Sequence, residues 1–236
     1  LKNSSLDASQ VLNSRSGVRI RQSGGMGADY NFSLNGLSDY RVRFYVDDIP
    51  IDYLGDAFKL NNLPVNLIDR IDVYKGVVPI ELGGDALGGA VNILSTNSYN
   101  SYLDASISYG SFNTQRIALN SQYRNKSNGL TIRPRAFYNF SNNNYVMRNM
   151  EVYVNRVWET RDAERFHDDY RSTTAMLEGG LTHVNWADEF LVGYAVSDIR
   201  DDTQTDFYGN PRGEVRSEES SNTSSIITTT TLDLDH

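Results

Sequence analysis

The sequence contains no cysteine and no long uninterrupted run of apolar residues. Without cysteine, neither a disulfide framework nor a thiolate metal site can form. No apolar stretch approaches the ~20 residues of a membrane-spanning helix, but this criterion misses strands in which lipid-facing and lumen-facing residues alternate. No secretory signal is visible at Leu1, so we expect a processed form or a fragment of a longer protein.

Basic residues are in the minority, since 22 Lys and Arg stand against 30 Asp and Glu, with a formal net charge of −8. Nucleic-acid-binding domains favour a basic stripe, so no nucleic-acid partner is expected. Histidine and tryptophan are scarce, whereas tyrosine is abundant with 15 residues. Tyrosine suits ordinary strands, and it also suits the lipid boundary, where the ring is apolar and the hydroxyl reaches the headgroups.

The first 97 residues mix short strands with glycine-rich turns. Strands are predicted at residues 18–21, 31–34, 41–46, 71–74 and 91–94, each bounded by Gly, Pro, Asn or Asp. A short helix is predicted at residues 64–70, with proline in its first turn. This pattern indicates a small α+β domain over residues 1–97.

From residue 98 the pattern changes to alternating strands. In the third of these, residues 130–140, Arg133 and Arg135 share one face while Ile132, Pro134 and Ala136 lie on the other. An antiparallel transmembrane β-barrel needs such a wall, apolar towards lipid and polar towards the lumen. A soluble β-sandwich would bury the apolar face equally well, so the alternation leaves both open.

The lengths of the connections favour the barrel. Short polar turns at 125–128 and 185–188 alternate with long polar stretches at 141–169 and 199–219, which we interpret as outer loops. The short connection at 110–113 departs from this scheme. Residues 98–236 therefore predict five to six strands, the sixth beginning near residue 225.

Catalytic and metal motifs are weak. Residues 83–89 superficially resemble a phosphate loop, but Gly89 and Ala90 stand where lysine and Ser or Thr are needed. His167, Asp168 and Asp169 offer metal-ligand chemistry, yet adjacent residues seldom converge on one ion and the surrounding run reads as a solvated loop. We predict no enzyme, no metal site and no cofactor.

Three motifs occur in order in the first domain. They are Val-Asp-Asp-Ile-Pro at 46–50, Asp-Arg-Ile-Asp-Val-Tyr-Lys-Gly at 69–76 and Leu-Gly-Gly-Ala-Val-Asn-Ile at 87–93. Together they resemble the signatures of the TonB-dependent outer-membrane receptors, over nearly the whole chain. Two positions depart from the family pattern, because Asn35 stands where arginine is usual and Asp48 where glycine is usual.

The resemblance implies a mainly β fold, in which residues 1–97 form the plug domain and residues 98–236 the first strands of a transmembrane barrel that is incomplete here. We expect the start of the plug and the TonB-contacting segment to lie before Leu1. It further implies the bacterial outer membrane, with the TonB complex of the inner membrane, lipid and a small-molecule ligand as partners. The expected function is active import of an iron-siderophore-type chelate, with iron present only as part of the cargo.

By position within such receptors, two loops at 22–30 and 52–60 would hold the cargo. Their aromatic rings and few polar groups suit a large organic ligand. The candidate substrate-binding residues are Met26, Asp29, Tyr30, Tyr53, Asp56 and Phe58, although Tyr53 and Phe58 could instead pack within the plug. The resemblance also implies that Arg70 locks the plug to carboxylates of the barrel wall, in place of being an ordinary exposed arginine.

Two alternatives remain. The same receptor architecture could import a glycan or a peptide, with a lipoprotein lid. A protein of another class, a soluble all-β binding or adhesion protein, would use the same amphipathic strands in a sandwich.

Overall fold

The computed structural model describes residues 7–38, 41–82, 88–96, 98–154, 157–205 and 211–229. Helix α1 spans Ala8–Asn13, and the strands up to residue 96 are β1 (Val18–Gln22), β2 (Tyr30–Leu34), β3 (Leu37–Ser38), β4 (Val42–Val46), β5 (Ile49–Pro50), β6 (Ile68–Tyr74) and β7 (Gly89–Ser95). The later strands are β8 (Tyr102–Gly110), β9 (Thr114–Arg124), β10 (Leu130–Ser141), β11 (Val146–Val154), β12 (Val157–Glu164), β13 (Tyr170–Val184), β14 (Ala187–Thr205) and β15 (Pro211–Thr229). Within these ranges no helix is long and apolar enough to cross a membrane.

The part up to residue 96, which we call the plug, contains two small sheets. Strands β1, β2 and β3 form an antiparallel sheet, and a second sheet has the order β5-β4-β7-β6. In the second sheet β4 and β7 run parallel, whereas the other neighbours are antiparallel. Their buried side chains, including Leu34, Val42, Val91 and Ile93, meet in one apolar core. The expectation of a mainly β chain with a small α+β plug is thereby confirmed.

A two-residue turn joins β4 to β5 at Asp47 and Asp48. Both residues have left-handed backbones, with φ of 48° and 65°, and the flanking residues Val46 and Ile49 pair directly. Such turns match the twist of a hairpin, and aspartate tolerates the left-handed region better than most residues. Asn92 fixes the turn, since its Nδ2 donates to Asp48 Oδ1 at 2.7 Å. Asp48 therefore builds the turn at a position where the family usually has glycine.

The short helix predicted at residues 64–70 is not formed. Only Val65–Leu67 makes a 3-10 turn, and β6 begins directly afterwards at Ile68. Residues 70–74 pair with β7 over five consecutive positions, so the sheet hydrogen bonds take these residues into a strand. Proline in a first turn is as compatible with the 3-10 turn as with a helix, which is why the sequence signal was misleading.

The second part forms an antiparallel sheet of six strands, which we call the wall. Its order is β8-β9-β10-β13-β14-β15. The predicted faces are confirmed on β10, where Thr131, Arg133 and Arg135 are buried while Ile132 is exposed. The end of the wall that carries the β8–β9 turn and the connection after β10 is called the upper end.

The two predicted long loops are wrong in detail. The stretch 141–169 contains an antiparallel ribbon of β11 and β12, and the stretch 199–219 is largely strand, because β14 continues to Thr205 and β15 starts at Pro211. The sixth strand thus begins well before residue 225. Polar residues pair across strands here, for example Arg200 with Glu218, so polarity alone did not distinguish an extended wall from a loop.

The plug packs directly on the inner face of the wall. Phe58 of the plug meets Phe137 of β10 edge to face, with ring centroids 6.0 Å apart. Tyr170, Ala195 and Ile199 of the wall belong to the same apolar cluster as the plug core. Apolar contact therefore joins the two parts, and polar contacts decide their alignment.

Candidate functional site

The plug loop at residues 23–29, which we call the upper loop, is bound to the upper end of the wall by Asn143. Asn143 Oδ1 accepts from the Met26 N–H at 3.0 Å, and its Nδ2 donates to the Met26 carbonyl at 2.9 Å. Two glycines of the loop make this approach possible, because a Cβ on Gly25 would lie 2.2 Å from Asn143 and one on Gly27 2.1 Å from the Tyr170 ring. The glycine-rich loop is thus fitted to the wall.

A cavity of about 590 Å³, called the upper cavity, lies between α1, the upper loop and the tops of β9 and β10. Its size is within the usual range for small-molecule sites. Phe112 and Tyr145 supply an aromatic pair with ring centroids 6.0 Å apart. The lining residues are Asp7, Ser9, Gln10, Gln22, Ser23, Gly24, Gly25, Met26, Phe112, Thr114, Arg116, Ser141, Asn143 and Tyr145. Aromatic surface with a few fixed polar groups suits an organic ligand.

A second cavity of about 240 Å³, called the acidic cavity, lies on the other side of the upper loop. Its charged lining residues are Asp29, Arg165, Asp168 and Asp201. Burial raises the pKa of Asp168, against the opposing effect of its hydrogen bond with Arg165. Acidic groups outnumber basic groups in this cavity.

The tripeptide considered as a metal site is divided among different partners. His167 contacts the Val215 carbonyl, Asp168 binds Arg165, and Asp169 accepts from Asn142 Nδ2 at 3.0 Å. Across the described ranges no three His, Asp or Glu side chains are placed to hold one ion.

Two of the predicted substrate-binding residues are buried between the plug and the wall. Phe58 is 1% exposed and packs on Phe137, whereas Met26 is 9% exposed and is bound through its backbone to Asn143. Their apolar side chains are more stable between plug and wall than in solvent. Both residues contribute to holding the loops, and Met26 also lines both cavities. Ligand contact by these two residues stays a prediction.

The other predicted substrate residues are more accessible. Asp29 is exposed and borders the acidic cavity, and Tyr30 lines a neighbouring cavity of about 240 Å³ together with Asp29 and Lys59. Tyr53 is 74% exposed, and its carbonyl accepts from Thr223 of the wall. Asp56 forms an ion pair with Lys59. Ligand contact by these four residues stays a prediction.

Arg70 lies on β6 with its side chain 66% exposed. Its Nε is 3.2 Å from Asp72 Oδ2 within the plug. The structure brings it to no wall carboxylate in the described ranges, so a lock through Arg70 stays a prediction. Exposed pairs of this kind contribute little, on the order of 0–1 kcal/mol.

Two ion pairs that the sequence reading missed do cross from plug to wall. Asp7 Oδ2 lies 3.0 Å from Arg116 Nη2 of β9, and Asp47 Oδ2 lies 4.0 Å from Arg135 Nη1 of β10. In both pairs the acid belongs to the plug and the arginine to the wall. The inward position of the arginines could be read from the alternation, but their partners are distant in sequence.

Wall side chains also bind the plug through its carbonyl groups. Asn139 Nδ2 donates to the Asn62 carbonyl and Asn120 Nδ2 to the Asn66 carbonyl, each at 3.0 Å. Arg116 Nη1 donates to the carbonyl of Asn61 at 3.2 Å. The segment 61–66 is therefore held along β9 and β10.

The connection from plug to wall is fixed in the same way. Gln122 Nε2 donates to the carbonyls of Ser98 and Asn100, and Arg124 Nη1 donates to that of Tyr99 at 3.2 Å. The Arg124 guanidinium also stacks on the Tyr99 ring, 4.2 Å from its centroid. This connection lies at the end of the wall opposite the cavities.

A glycine-rich plug seated on the polar inner face of an amphipathic antiparallel sheet is the arrangement of a plugged outer-membrane receptor. Residues 1–90 match the family model of the TonB-dependent Receptor Plug Domain. The chain thus carries a TonB-dependent receptor plug domain, followed by wall strands with the fold of such receptors, and the recognition from the three motifs is confirmed.

One curated relative is the vitamin B12 transporter BtuB of Vibrio vulnificus (strain CMCP6). It is 33% identical over 91 residues, which are 39% of this chain and 15% of the relative. The chain therefore spans only a small part of that protein's length.

Solved structures show the same fold over most of the chain. A pyoverdine-bound FpvA of P. aeruginosa superimposes with a TM-score of 0.62 over 93% of this chain and 29% of FpvA, at 16% identity. The siderophore receptor PiuA of Acinetobacter baumannii gives 0.57 over 85% and 25% at 16% identity, and the copper transporter OprC 0.59 over 86% and 30% at 15% identity. All of these relatives are named as transporters or receptors, in agreement with the expectation that the chain is not an enzyme.

Proposed function

We propose that the receptor carrying this chain imports an iron-siderophore-type chelate across the bacterial outer membrane, driven by the TonB complex. The observation that carries this proposal is a TonB-dependent plug domain seated in a wall of amphipathic strands. The outward face of the wall is apolar at Leu177, Val192 and Tyr194, as lipid contact requires. The upper end then faces the outside, where the cargo arrives.

The cargo class is supported by the upper cavity. Its volume and its aromatic pair suit an organic molecule, and no cluster of metal ligands in the described ranges competes for a bare ion. Iron would therefore be held by the oxygen atoms of the chelator. The likeness to FpvA and PiuA, which are named as a pyoverdine receptor and a siderophore receptor, favours the same cargo class.

Cobalamin is a second candidate cargo, because the curated match over the plug is a vitamin B12 transporter. The plug alone does not decide the cargo, since residues of the wall also line the upper cavity, including Phe112, Arg116 and Tyr145. The match covers 15% of the relative's length, so most of the relative's wall has no counterpart in this chain.

Arg70 keeps its proposed role as a lock to a carboxylate of the barrel wall. Its exposed guanidinium points out of the plug core and is free enough to form a bidentate pair, apart from its contact with Asp72.

The test is uptake by a strain that lacks the receptor gene and is complemented with the intact gene. Growth and radiolabel uptake are measured with ferric chelates, with cobalamin, and with a glycan or peptide as the sole source, in the presence and absence of TonB. We expect TonB-dependent uptake of a ferric chelate. Uptake of cobalamin, glycan or peptide alone would replace the cargo assignment.

Membrane residence is tested separately on the same protein. We expect extraction only with detergent and a shift of migration on heating, as folded barrels show. A monodisperse, detergent-free protein would instead support the soluble all-β alternative.

A further inference from the structure

The floor of the upper cavity contains a buried ion pair between the plug and the wall. Asp7 Oδ2 lies 3.0 Å from Arg116 Nη2, and the two side chains are only 4% and 13% exposed. Both residues line the cavity, together with the aromatic residues Phe112 and Tyr145. A charged pair therefore lies where an incoming ligand would come to rest.

The two carboxylate oxygens of Asp7 have separate partners. Oδ1 accepts from the Gln10 N–H at 3.1 Å and from Ser9 Oγ at 2.6 Å, which caps the start of α1. Oδ2 contacts Arg116. A competitor for Arg116 would therefore displace one oxygen of Asp7 and leave the cap of α1 in place.

Arg116 has more donors than partners. Its Nη1 donates to the Asn61 carbonyl at 3.2 Å and its Nη2 contacts Asp7, whereas its buried Nε has no hydrogen-bond partner within the described ranges. A buried donor without a partner is costly, so an additional acceptor at this site is favourable. An anionic oxygen is the strongest acceptor for a guanidinium group.

We propose that Arg116 is a specificity-determining residue that binds an anionic oxygen group of the cargo, in competition with the Asp7 carboxylate. This inference rests on the proposed import of a chelate, and it adds that the chelate is anionic. In the empty receptor Asp7 occupies the anion position on Arg116. When the cargo binds, its carboxylate or other oxygen anion takes this position and uses the remaining donor.

The Asp7–Arg116 contact could instead be purely structural, since breaking a buried pair also destabilises a protein. The two roles predict different effects of substitution. A structural pair loses stability when either partner is changed and shows no selectivity between probes. A binding arginine with an internal competitor gives opposite changes of affinity at its two positions.

The experiment measures the affinity of the intact purified receptor for two probes by tryptophan fluorescence quenching or calorimetry. The first probe is ferric citrate, an anionic hydroxycarboxylate chelate, and the second is a neutral ferric trihydroxamate. For ferric citrate we expect Arg116→Gln to weaken binding about 10- to 100-fold, the loss of a charge-assisted hydrogen bond. Asp7→Asn should strengthen it several-fold, and Arg116→Lys should fall between wild type and Arg116→Gln.

Neutral trihydroxamate and a matched arginine serve as controls. Binding of the neutral probe should change less than about threefold in every variant, a margin well below one charge-assisted hydrogen bond. Arg133→Gln removes a wall arginine that is more deeply buried than Arg116, is paired with Glu189 at 2.7 Å and lines neither cavity, and it should leave the affinity for both probes unchanged. Heat-dependent migration confirms that each variant is folded.

Equal affinity of Arg116→Gln and wild type for ferric citrate would overturn the assignment, as would weaker binding in Asp7→Asn. A wild-type receptor that binds only the neutral probe would also overturn it, while leaving chelate import intact. A wild-type receptor that binds neither ferric probe would overturn the iron-chelate proposal itself, and with it this inference.

Discussion

Asn143 of the wall binds both main-chain polar groups of Met26 of the plug, with its amide oxygen on the Met26 N–H and its amide nitrogen on the Met26 carbonyl. The two residues are 117 positions apart in the sequence. These two hydrogen bonds hold the upper loop between the upper cavity and the acidic cavity. The wall therefore positions the upper loop, and a substitution in the wall should change the local stability of that loop.

Replacing Asn143 with alanine should release the upper loop. Two buried hydrogen bonds are lost, at about 1 kcal/mol each, so amide exchange at Met26 should accelerate roughly 10- to 30-fold. Hydrogen-exchange mass spectrometry measures this. Asn144→Ala is the matched control, because among the described residues the Asn144 side chain donates to Glu164 at the surface and to no plug residue, so Met26 exchange should be unchanged. Equal amide exchange at Met26 in both variants would show that the Asn143 hydrogen bonds do not hold the loop.

A methyl group on Gly27 should be far more damaging than one on Gly36. Both glycines have left-handed backbones, with φ of +82° and +84°, but only at Gly27 would a Cβ strike a neighbour, the Tyr170 ring at 2.1 Å. We expect Gly36→Ala to cost about 1–2 kcal/mol and Gly27→Ala roughly 2–5 kcal/mol of unfolding free energy. Denaturant unfolding in detergent measures the difference, and equal costs would show that the loop is not seated on Tyr170.

Substitutions of Phe58 and Tyr53 should distinguish a packing role from a ligand-binding role. Phe58→Ala removes a buried ring from the plug–wall contact and should cost roughly 3–5 kcal/mol of stability. Tyr53→Ala removes a side chain that is 74% exposed and should change stability by less than about 0.5 kcal/mol. If Tyr53 contacts cargo, as its position predicts, only binding affinity falls in that variant. A Phe58→Ala protein as stable as the wild type would contradict the packing role of this ring.

The charge of Asp47 should matter more to plug–wall association than that of Arg70. Asp47→Asn keeps a residue that tolerates the left-handed turn and can still accept from the Ser95 N–H, but it removes the charge facing Arg135. We expect a loss of roughly 1–3 kcal/mol, because the contact is an ion pair whose arginine is only 2% exposed. Arg70→Ala removes an exposed contact with Asp72, and in the described part of the chain this is worth at most about 1 kcal/mol. A larger loss for Arg70→Ala in the intact receptor would support the proposed lock.

Asp168 should make stability depend on pH. Burial raises its folded pKa above the ordinary 3.8, so the ionised side chain lowers stability at neutral pH, and this cost disappears as the pH falls through the raised pKa towards 3.8. Asp168→Asn should therefore be more stable than wild type near pH 7, with a gap that closes on acidification. Melting temperatures between pH 4 and pH 7.5 measure this gap, and Asp104→Asn on exposed β8 is the control. A difference in melting temperature that widens at low pH would contradict the predicted direction of the effect.

The strands of the wall were largely predictable from the sequence. Strand β10 (Leu130–Ser141) has nearly the predicted bounds of 130–140, because it alternates polar and apolar residues between clear turns. The β11–β12 ribbon was missed because the whole stretch 141–169 was interpreted as one polar loop, although β11 itself is rich in apolar residues. In residues 64–70 a local proline signal was outweighed by pairing with β7, which is a tertiary effect.

The site was less predictable than the fold. The upper loop could be recognised from its glycines and its position, but Asn143 and Arg116 could not be assigned, since their partners Met26 and Asp7 are more than a hundred residues away. Phe58 was placed on the ligand surface because an aromatic residue in a loop looks the same whether it faces solvent or a wall. The packing on Phe137 is the contact that the sequence could not predict.

The connection between plug and wall depends on main-chain oxygen atoms. Gln122 and Arg124 donate to the carbonyls of residues 98–100, and every amino acid supplies such an oxygen. Apart from the ring of Tyr99, this joint can accept many substitutions without losing its hydrogen bonds. It is therefore a suitable junction for chimaeric receptors, in which the plug of one receptor is joined to the wall of another.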